Sequence, residues 1–210
     1  MIFDMCFNAD LFIGIFTLGV EKTHDIRVVR NTLDPQWWRG LSSQRRCSSK
    51  PRVGWAGGVS HTGDLELIAD VVKELAAEVE WVFMGMCPDV IRPFINEFHA
   101  GVDIESYPVA LASLDLDLAL APVEANLFNE CKSNLRLLEY GACGFPVICT
   151  DTKAYAGYLP CTRVKDNTTE QWLEAIRMHL CDPQANYRQG DALRQRTPAH
   201  RPLASLSACR

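Results

Sequence analysis

Short, continuously apolar runs alternate along this chain with segments whose apolar residues recur three and four positions apart. The runs at 53–58, 81–85, 118–122 and 147–150 predict buried strands, and further strands are expected at 102–107 and 162–164, with a short one at 26–29 before them. Between them, Leu65, Ile68, Val72 and Leu75 predict a helix running through Ala77, and further helices are expected over 89–98, 109–114 and 135–143. Trp172, Ala175, Ile176 and Leu180 predict another over 169–180, capped by Thr168 or Thr169. Strands apolar on both faces, alternating with helices, predict an α/β fold: a Rossmann-like parallel sheet with helices on both faces. Ligands of such sheets bind beyond the carboxyl ends of the strands. The loop at Gly57, the Gly85 turn, Tyr107-Pro108 and the turn at 129–134 all follow strands, so they converge on that edge.

The pattern weakens towards both ends. Residues 1–24 are apolar but too short for a domain, and read as the remnant of an N-terminal Rossmann-like half. The apolar stretch at 11–20 follows Asp4 and Asp10 and has no basic segment before it. That excludes a signal peptide and, by length, a membrane span. Residues 25–52 read as hinge and linker. Asn31, Asp34 and Pro35 predict a turn, and the polar stretch 41–52 is expected to be mobile, with Arg45, Arg46, Lys50 and Arg52 solvated. The intact domain is expected over 53–182. Residues 183–210 lose apolar periodicity and predict a frayed helix and a disordered tail. The chain therefore reads as truncated at both ends.

Composition narrows the partners. Of 210 residues, 48% are hydrophobic and 22% charged, which predicts a packed core rather than disorder. A net charge of −5 argues against a nucleic-acid surface. Phosphates could still be held locally, by a loop and one or two cations. The nine cysteines include no C-x-x-C spacing and the five histidines are scattered, so no metal site is expected. Free thiols in a reducing cytoplasm fit this pattern.

Two stretches carry candidate chemistry. In FNECKSNLRLLEYGACGFPVICTD (128–151), polar residues lead into a helix, Gly144 ends it, and a strand follows. Lys132, Arg136 and Glu139 fall on one helical face. Ser133 and Asn134 lie at the N-terminus, where unsatisfied amides and the helix dipole form an anion seat. The same charges are also compatible with a surface ion pair and a solvated lysine. The second stretch is VGWAGGVSHTGD (53–64): a strand, then a glycine-rich loop with Gly57, Gly58 and His61, then Asp64 as N-cap. Glycines let backbone approach a phosphate without Cβ interference, and also simply make tight turns. Tyr107 and the turn at 85–87 are candidates to flank a nucleotide base, or ordinary loop and core residues. G-x-G-x-x-G is absent, so a nicotinamide enzyme is not supported.

The segment from Phe128 resembles the nucleotide-sugar-binding segment of GT-B glycosyltransferases of the group 1 type, in the subset reading FNxCKSxxRxLEYxAxGxPVI. Asn129, Lys132, Ser133, Glu139, Gly144 and Pro146 match. Residues 54–65 resemble the GWAGxxxHxxDL that opens the donor-binding half of the same subset, and 26–38 resembles the hinge between halves. Two departures stand out. The position eight residues before Glu139, where many such enzymes carry a second glutamate, is Cys131, with Glu130 beside it. The Arg and Lys that many relatives of the wider fold carry in the glycine loop are absent, leaving His61 as the ionisable candidate.

The resemblance implies one half of a GT-B fold, binding a nucleotide-diphosphate sugar and transferring a hexose to a glycan, lipid or protein acceptor. It implies retention of configuration and no metal or other cofactor. Lys132 would stabilise the departing diphosphate, and Glu139 would hold ribose hydroxyls. Gly57, Gly58, His61, Tyr107, Asn129, Ser133, Asn134 and Arg136 would complete the donor site. A catalytic acid or base from a separate N-terminal half would be needed, so weak donor binding and slow turnover are expected of this chain alone. The alternative is a non-catalytic nucleotide-sugar-binding module or remnant in a larger assembly. A sugar-nucleotide epimerase would have to use Glu124 and Glu130.

Overall fold

The computed structural model describes residues 31–45 and 49–197. Residues 1–30, 46–48 and 198–210, with the expected strand at 26–29, lie outside the described residues. Six strands form the sheet: β1 (Arg52–Ala56), β2 (Glu80–Gly85), β3 (Glu97–Ala100), β4 (Leu118–Ala121), β5 (Val147–Thr150) and β6 (Thr162–Val164). All neighbours pair in parallel, in the order β3-β2-β1-β4-β5-β6. This is the α/β, Rossmann-like architecture expected from the alternation of strands and helices.

Side chains along each strand divide between two cores. Val53, Trp55, Trp81, Phe83, Leu118, Leu120 and Ile148 face one side. There they meet Leu65 of α2 (Thr62–Glu66), Val71 and Val72 of α3 (Ala69–Glu74), and Trp172 and Ile176 of α7 (Thr169–Cys181). Ala56, Val82, Met84, Ala119, Ala121, Val147 and Cys149 face the other. That side is covered by α1 (Pro35–Trp38), α4 (Tyr107–Ser113), α6 (Leu135–Cys143) and α8 (Pro183–Arg196). The period of two along the strands thus gives each helical layer its own apolar floor. The remaining helix, α5 (Leu127–Glu130), is a single turn before α6.

Several expectations need correction. The helix expected from Leu65 through Ala77 is broken into α2, α3 and a 3-10 turn, though Leu65, Ile68, Val72 and Leu75 are buried as the periodicity requires. The helix expected over 89–98 is instead a turn, the 3-10 segment Arg92–Phe94 and the start of β3. Pro93 explains this, since its missing N–H and its ring break a helix interior. The third strand lies at Glu97–Ala100 rather than 102–107, and Pro108 sits in the first turn of α4 rather than ending a strand.

The expected mobile linker is anchored. The Ser43 amide donates to the Cys143 carbonyl at 2.9 Å, and Arg45 pairs with Asp191 and stacks over Tyr187. Arg52 is buried inside the fold, not solvated. Its guanidinium donates to both oxygens of Glu97 at 2.6 and 2.9 Å and to the Leu114 carbonyl.

Residues 183–196 are not frayed. Asp182 caps α8, Pro183 opens it, and Asn186, Gly190 and Leu193 bury a stripe of it. The helix packs on α6 so closely that a Cβ on Gly190 would stand 2.3 Å from the Gly144 carbonyl oxygen. Among the described residues the cysteines are free, with Cys131, Cys143 and Cys149 buried, and no helix is long and apolar enough to cross a membrane.

Candidate functional site

The order of the sheet reverses between β1 and β4, and an open crevice is expected at their carboxyl ends. The two strands pair at Val53–Leu118 and Gly54–Ala119. Beyond that pairing, the Ala56 amide donates to the Tyr140 hydroxyl at 3.0 Å, and that hydroxyl lies 3.4 Å from the Leu120 carbonyl. A phenol from α6 therefore bridges the strands where they part. Burial pushes it up to about 12, so it stays neutral.

Two loops flank the crevice. The first leaves β1 at Gly57, whose amide continues the ladder to the Met84 carbonyl at 3.1 Å. It passes Gly58 and reaches His61, which is buried. The second leaves β4 at Val123 and is pinned from below. The Val123 amide donates to Thr150 Oγ1 at 2.9 Å, and Asn167 Nδ2 donates to the Val123 carbonyl at 2.9 Å. The second loop continues through Glu124, the Asn126-capped α5 and Lys132 to the N-terminus of α6.

Four ionisable side chains meet between these loops. Asp64 Oδ2 lies 2.6 Å from His61 Nδ1 and 3.4 Å from Lys132 Nζ, which is itself 3.4 Å from His61 Nδ1. On the other edge of the imidazole, Arg136 Nη2 donates to His61 Nε2 at 3.0 Å. An arginine is always a donor, so Nε2 must present its lone pair and the ring proton sits on Nδ1, aimed at Asp64. The guanidinium lies over the Trp55 ring, 4.9 Å from its centroid. Burial works to raise the Asp64 carboxyl. Hydrogen bonds from His61 and the Glu124 amide, with the Lys132 charge, outweigh it and hold the group below the usual carboxylate value.

Of the residues picked out in the sequence, Gly57, His61, Asn129, Lys132 and Arg136 come together here. Neither charge is at the surface. The Lys132 side chain is only 17% exposed and stacks on Phe128, and Arg136 is buried. Gly58 precedes the 3-10 turn Val59–His61, and Asn134 is the N-cap residue of α6 without capping through its side chain. Ser133 Oγ accepts from the Leu135 amide at 3.3 Å. Glu139 lies one turn beyond Arg136, accepting from the Tyr107 hydroxyl at 3.2 Å.

Tyr107 is corrected. It is buried in the first turn of α4, edge-on to Trp38, so it supports Glu139 from beneath and offers no face to a base. Asp64 is corrected as well. It lies within α2 rather than capping it, and its carboxylate is the hub of the cluster. Trp55 and Tyr140, which seat Arg136 and bridge the parting strands, were not singled out in the sequence. Of the two glutamates an epimerase would use, Glu130 is paired with Lys153 at 2.8 Å. Among the described residues no cluster of His, Cys, Asp and Glu is arranged to hold a metal ion.

No protein-family model matches the chain, and no curated protein matches it in sequence. Solved structures do match in fold. WaaG, a glycosyltransferase involved in lipopolysaccharide biosynthesis, aligns over 95% of this chain and 59% of its own, with a TM-score of 0.68 and 15% identity. HepE from Anabaena, solved with UDP and glucose, aligns over 91% of this chain and 58% of its own, with a TM-score of 0.65 and 12% identity. Sucrose-phosphate synthase from Thermosynechococcus elongatus aligns over 90% and 52%, with a TM-score of 0.63 and 14% identity. The chain spans a little over half the length of these proteins, and the fold it shares with them is that of GT-B glycosyltransferases.

Proposed function

We propose that this chain is the donor-binding half of a glycosyltransferase that uses a nucleotide-diphosphate sugar. The observation that carries this reading is the convergence of Lys132 and Arg136 on His61, where the loops after β1 and β4 meet beside the N-terminus of α6. Amides, a helix dipole and two cations at a switch point suit a diphosphate. The complexes of HepE with UDP and UDP-glucose support a uridine nucleotide as the first to try.

In this reading Lys132 leaves its loose 3.4 Å contact with Asp64 and takes a phosphate oxygen. Donors placed where charge develops are the largest usual catalytic contribution, and here the charge appears on the departing diphosphate. Ser133 and Asn134 bring the helix amides to the same anion. Glu139, held by Tyr107, faces ribose hydroxyls. The sugar passes to a glycan, lipid or protein acceptor, in the cytoplasm and without a metal ion. The acceptor side and a catalytic acid or base come from a separate N-terminal half, so the chain alone turns over slowly.

Calorimetry with UDP-, GDP- and dTDP-sugars in the presence of EDTA tests this. One nucleotide sugar is expected to bind, and Lys132→Ala is expected to weaken it by about 1.5–3 kcal/mol, the scale of one charge-assisted hydrogen bond. Absence of heat with every donor overturns the reading. The second reading is a non-catalytic donor-binding module, which shares Lys132 and Glu139 but needs no acceptor side. Donor binding without any donor hydrolysis, even when an N-terminal half is supplied, selects it.

A further inference from the structure

We infer that Asp64 is the positioning residue of this site: it joins the two loops across the switch point and serves as the internal counter-ion that holds Lys132 and Arg136 in place while no anion is bound. The inference rests on the functional reading above for its consequence, but not for its geometry.

Asp64 is 3% exposed, yet four donors from separate segments surround it. Its Oδ1 accepts from the Glu124 amide at 2.7 Å and from Asn129 Nδ2 at 3.0 Å. Its Oδ2 accepts from His61 Nδ1 at 2.6 Å and faces Lys132 Nζ at 3.4 Å. His61 comes from the loop after β1, and Glu124 from the loop after β4. Asn129 belongs to α5, and Lys132 to the turn before α6. Through His61 the chain of contacts continues to Arg136 on α6. One carboxylate thus ties together every segment that brings a candidate phosphate ligand to the crevice.

The proton arrangement leaves Asp64 no substitute. Because Arg136 donates to Nε2, His61 donates from Nδ1, and Lys132 also donates. Oδ2 therefore faces donors alone. An asparagine could keep its oxygen on Glu124 and Asn129, but its NH2 would then point at the His61 N–H and the Lys132 ammonium. The loop tie would survive and the charge pairing would not. Asp64 does not itself touch a bound diphosphate, because it is buried and bears the same sign of charge. It acts through Lys132 and His61.

The full chain labelled with 15N on its histidines tests the geometry. The wild-type protein is expected to show the His61 ring proton on Nδ1 and the lone pair on Nε2, and Asp64→Asn is expected to lose that signature. Titration then tests the consequence. Asp64→Asn is expected to weaken UDP and inorganic pyrophosphate at least tenfold while the affinity for uridine stays within twofold. A proton on Nε2 in the wild type overturns the inference, even if the variants fail to fold. So does an Asp64→Asn protein that keeps both the imidazole signature and wild-type pyrophosphate affinity. If the wild type binds neither UDP nor pyrophosphate, the proposed function falls, and the His61 resonances alone decide the place of Asp64.

Discussion

The seat of Arg136 depends on an atom that Gly57 lacks. A Cβ at Gly57 would stand 2.7 Å from Arg136 Nη2 and 2.6 Å from the Trp55 ring. The guanidinium is wedged between Trp55 and His61 and has little room to yield. Gly57→Ala is therefore expected to destabilise the chain by about 1–3 kcal/mol, the usual range for overpacking. An unchanged urea midpoint would show that the arginine can retreat freely. A second residue-scale prediction concerns Glu97, which the hydrogen bond from Arg52 draws down from 4.5 to about 2. Its stabilising contribution is complete above 4.5 and is lost as pH falls through 2. Because the Glu97 side chain is 43% exposed, solvent screening reduces that contribution to roughly 1 kcal/mol. Glu97→Gln should flatten the fall in stability over that acid range, and curves parallel to wild type in a pH series of urea titrations would contradict it. Lys132 and Arg136 were legible through the resemblance of the segment from Phe128; their spacing alone left a surface ion pair and a solvated lysine open, and Lys132 lies in the turn before α6. Asp64 was not, because an aspartate at a helix start reads as a cap. Its other partners, Glu124 and Asn129, lie about sixty residues away in sequence.

Elements were legible where burial was two-sided. β1, β2, β4 and β5 have apolar residues facing both cores, so each stands out as a continuous run. β3 is an edge strand, partly or wholly exposed along its length, and Arg52 holds it through the carboxylate of Glu97. No apolar run marks such a strand, and the expected strand at 102–107 lies just beyond it. α8 was expected to fray for a related reason. It buries one narrow stripe, and much of its anchoring is polar. Asn186 donates to the Asp117 carbonyl at 2.8 Å and lies 2.7 Å from His179, and Gln189 accepts from the Val147 amide at 3.2 Å. Gly190 makes the helix test itself. Replacing it with alanine in a helix interior should gain about 1 kcal/mol of propensity. The new Cβ, however, would meet the Gly144 carbonyl oxygen at 2.3 Å and the Pro146 nitrogen at 2.9 Å, both backbone atoms. Overpacking against backbone sits at the upper end, about 3 kcal/mol, so the clash wins and Gly190→Ala should destabilise by about 2 kcal/mol net. A Gly190→Ala protein more stable than wild type in urea would mean that α8 does not pack as described.

At the scale of the molecule, the alternation of elements predicted a parallel sheet but not the order of its strands. Order decides which two loops face each other, and hence that His61 and Lys132 belong to one site. The same arrangement predicts how the chain responds to ligand. With a net charge of −5, long-range attraction of an anion is absent, so stabilisation by a diphosphate must come from the local cluster. Free ligand at about 100 times its dissociation constant stabilises the native state by about 2.7 kcal/mol. For a domain of this size each kcal/mol raises the midpoint by about 2–4 °C, so UDP should raise it by roughly 5–10 °C. Removing Lys132 weakens binding by about one to two powers of ten. At the same UDP concentration the stabilisation then falls to about 0.4–1.4 kcal/mol, or a shift of roughly 1–5 °C. Glu139→Ala should reduce the shift with UDP but not with pyrophosphate, because that ligand has no ribose. Equal losses with both ligands would move Glu139 from the ribose to the phosphates. Equal shifts in wild type and Lys132→Ala would move the anion away from this crevice altogether.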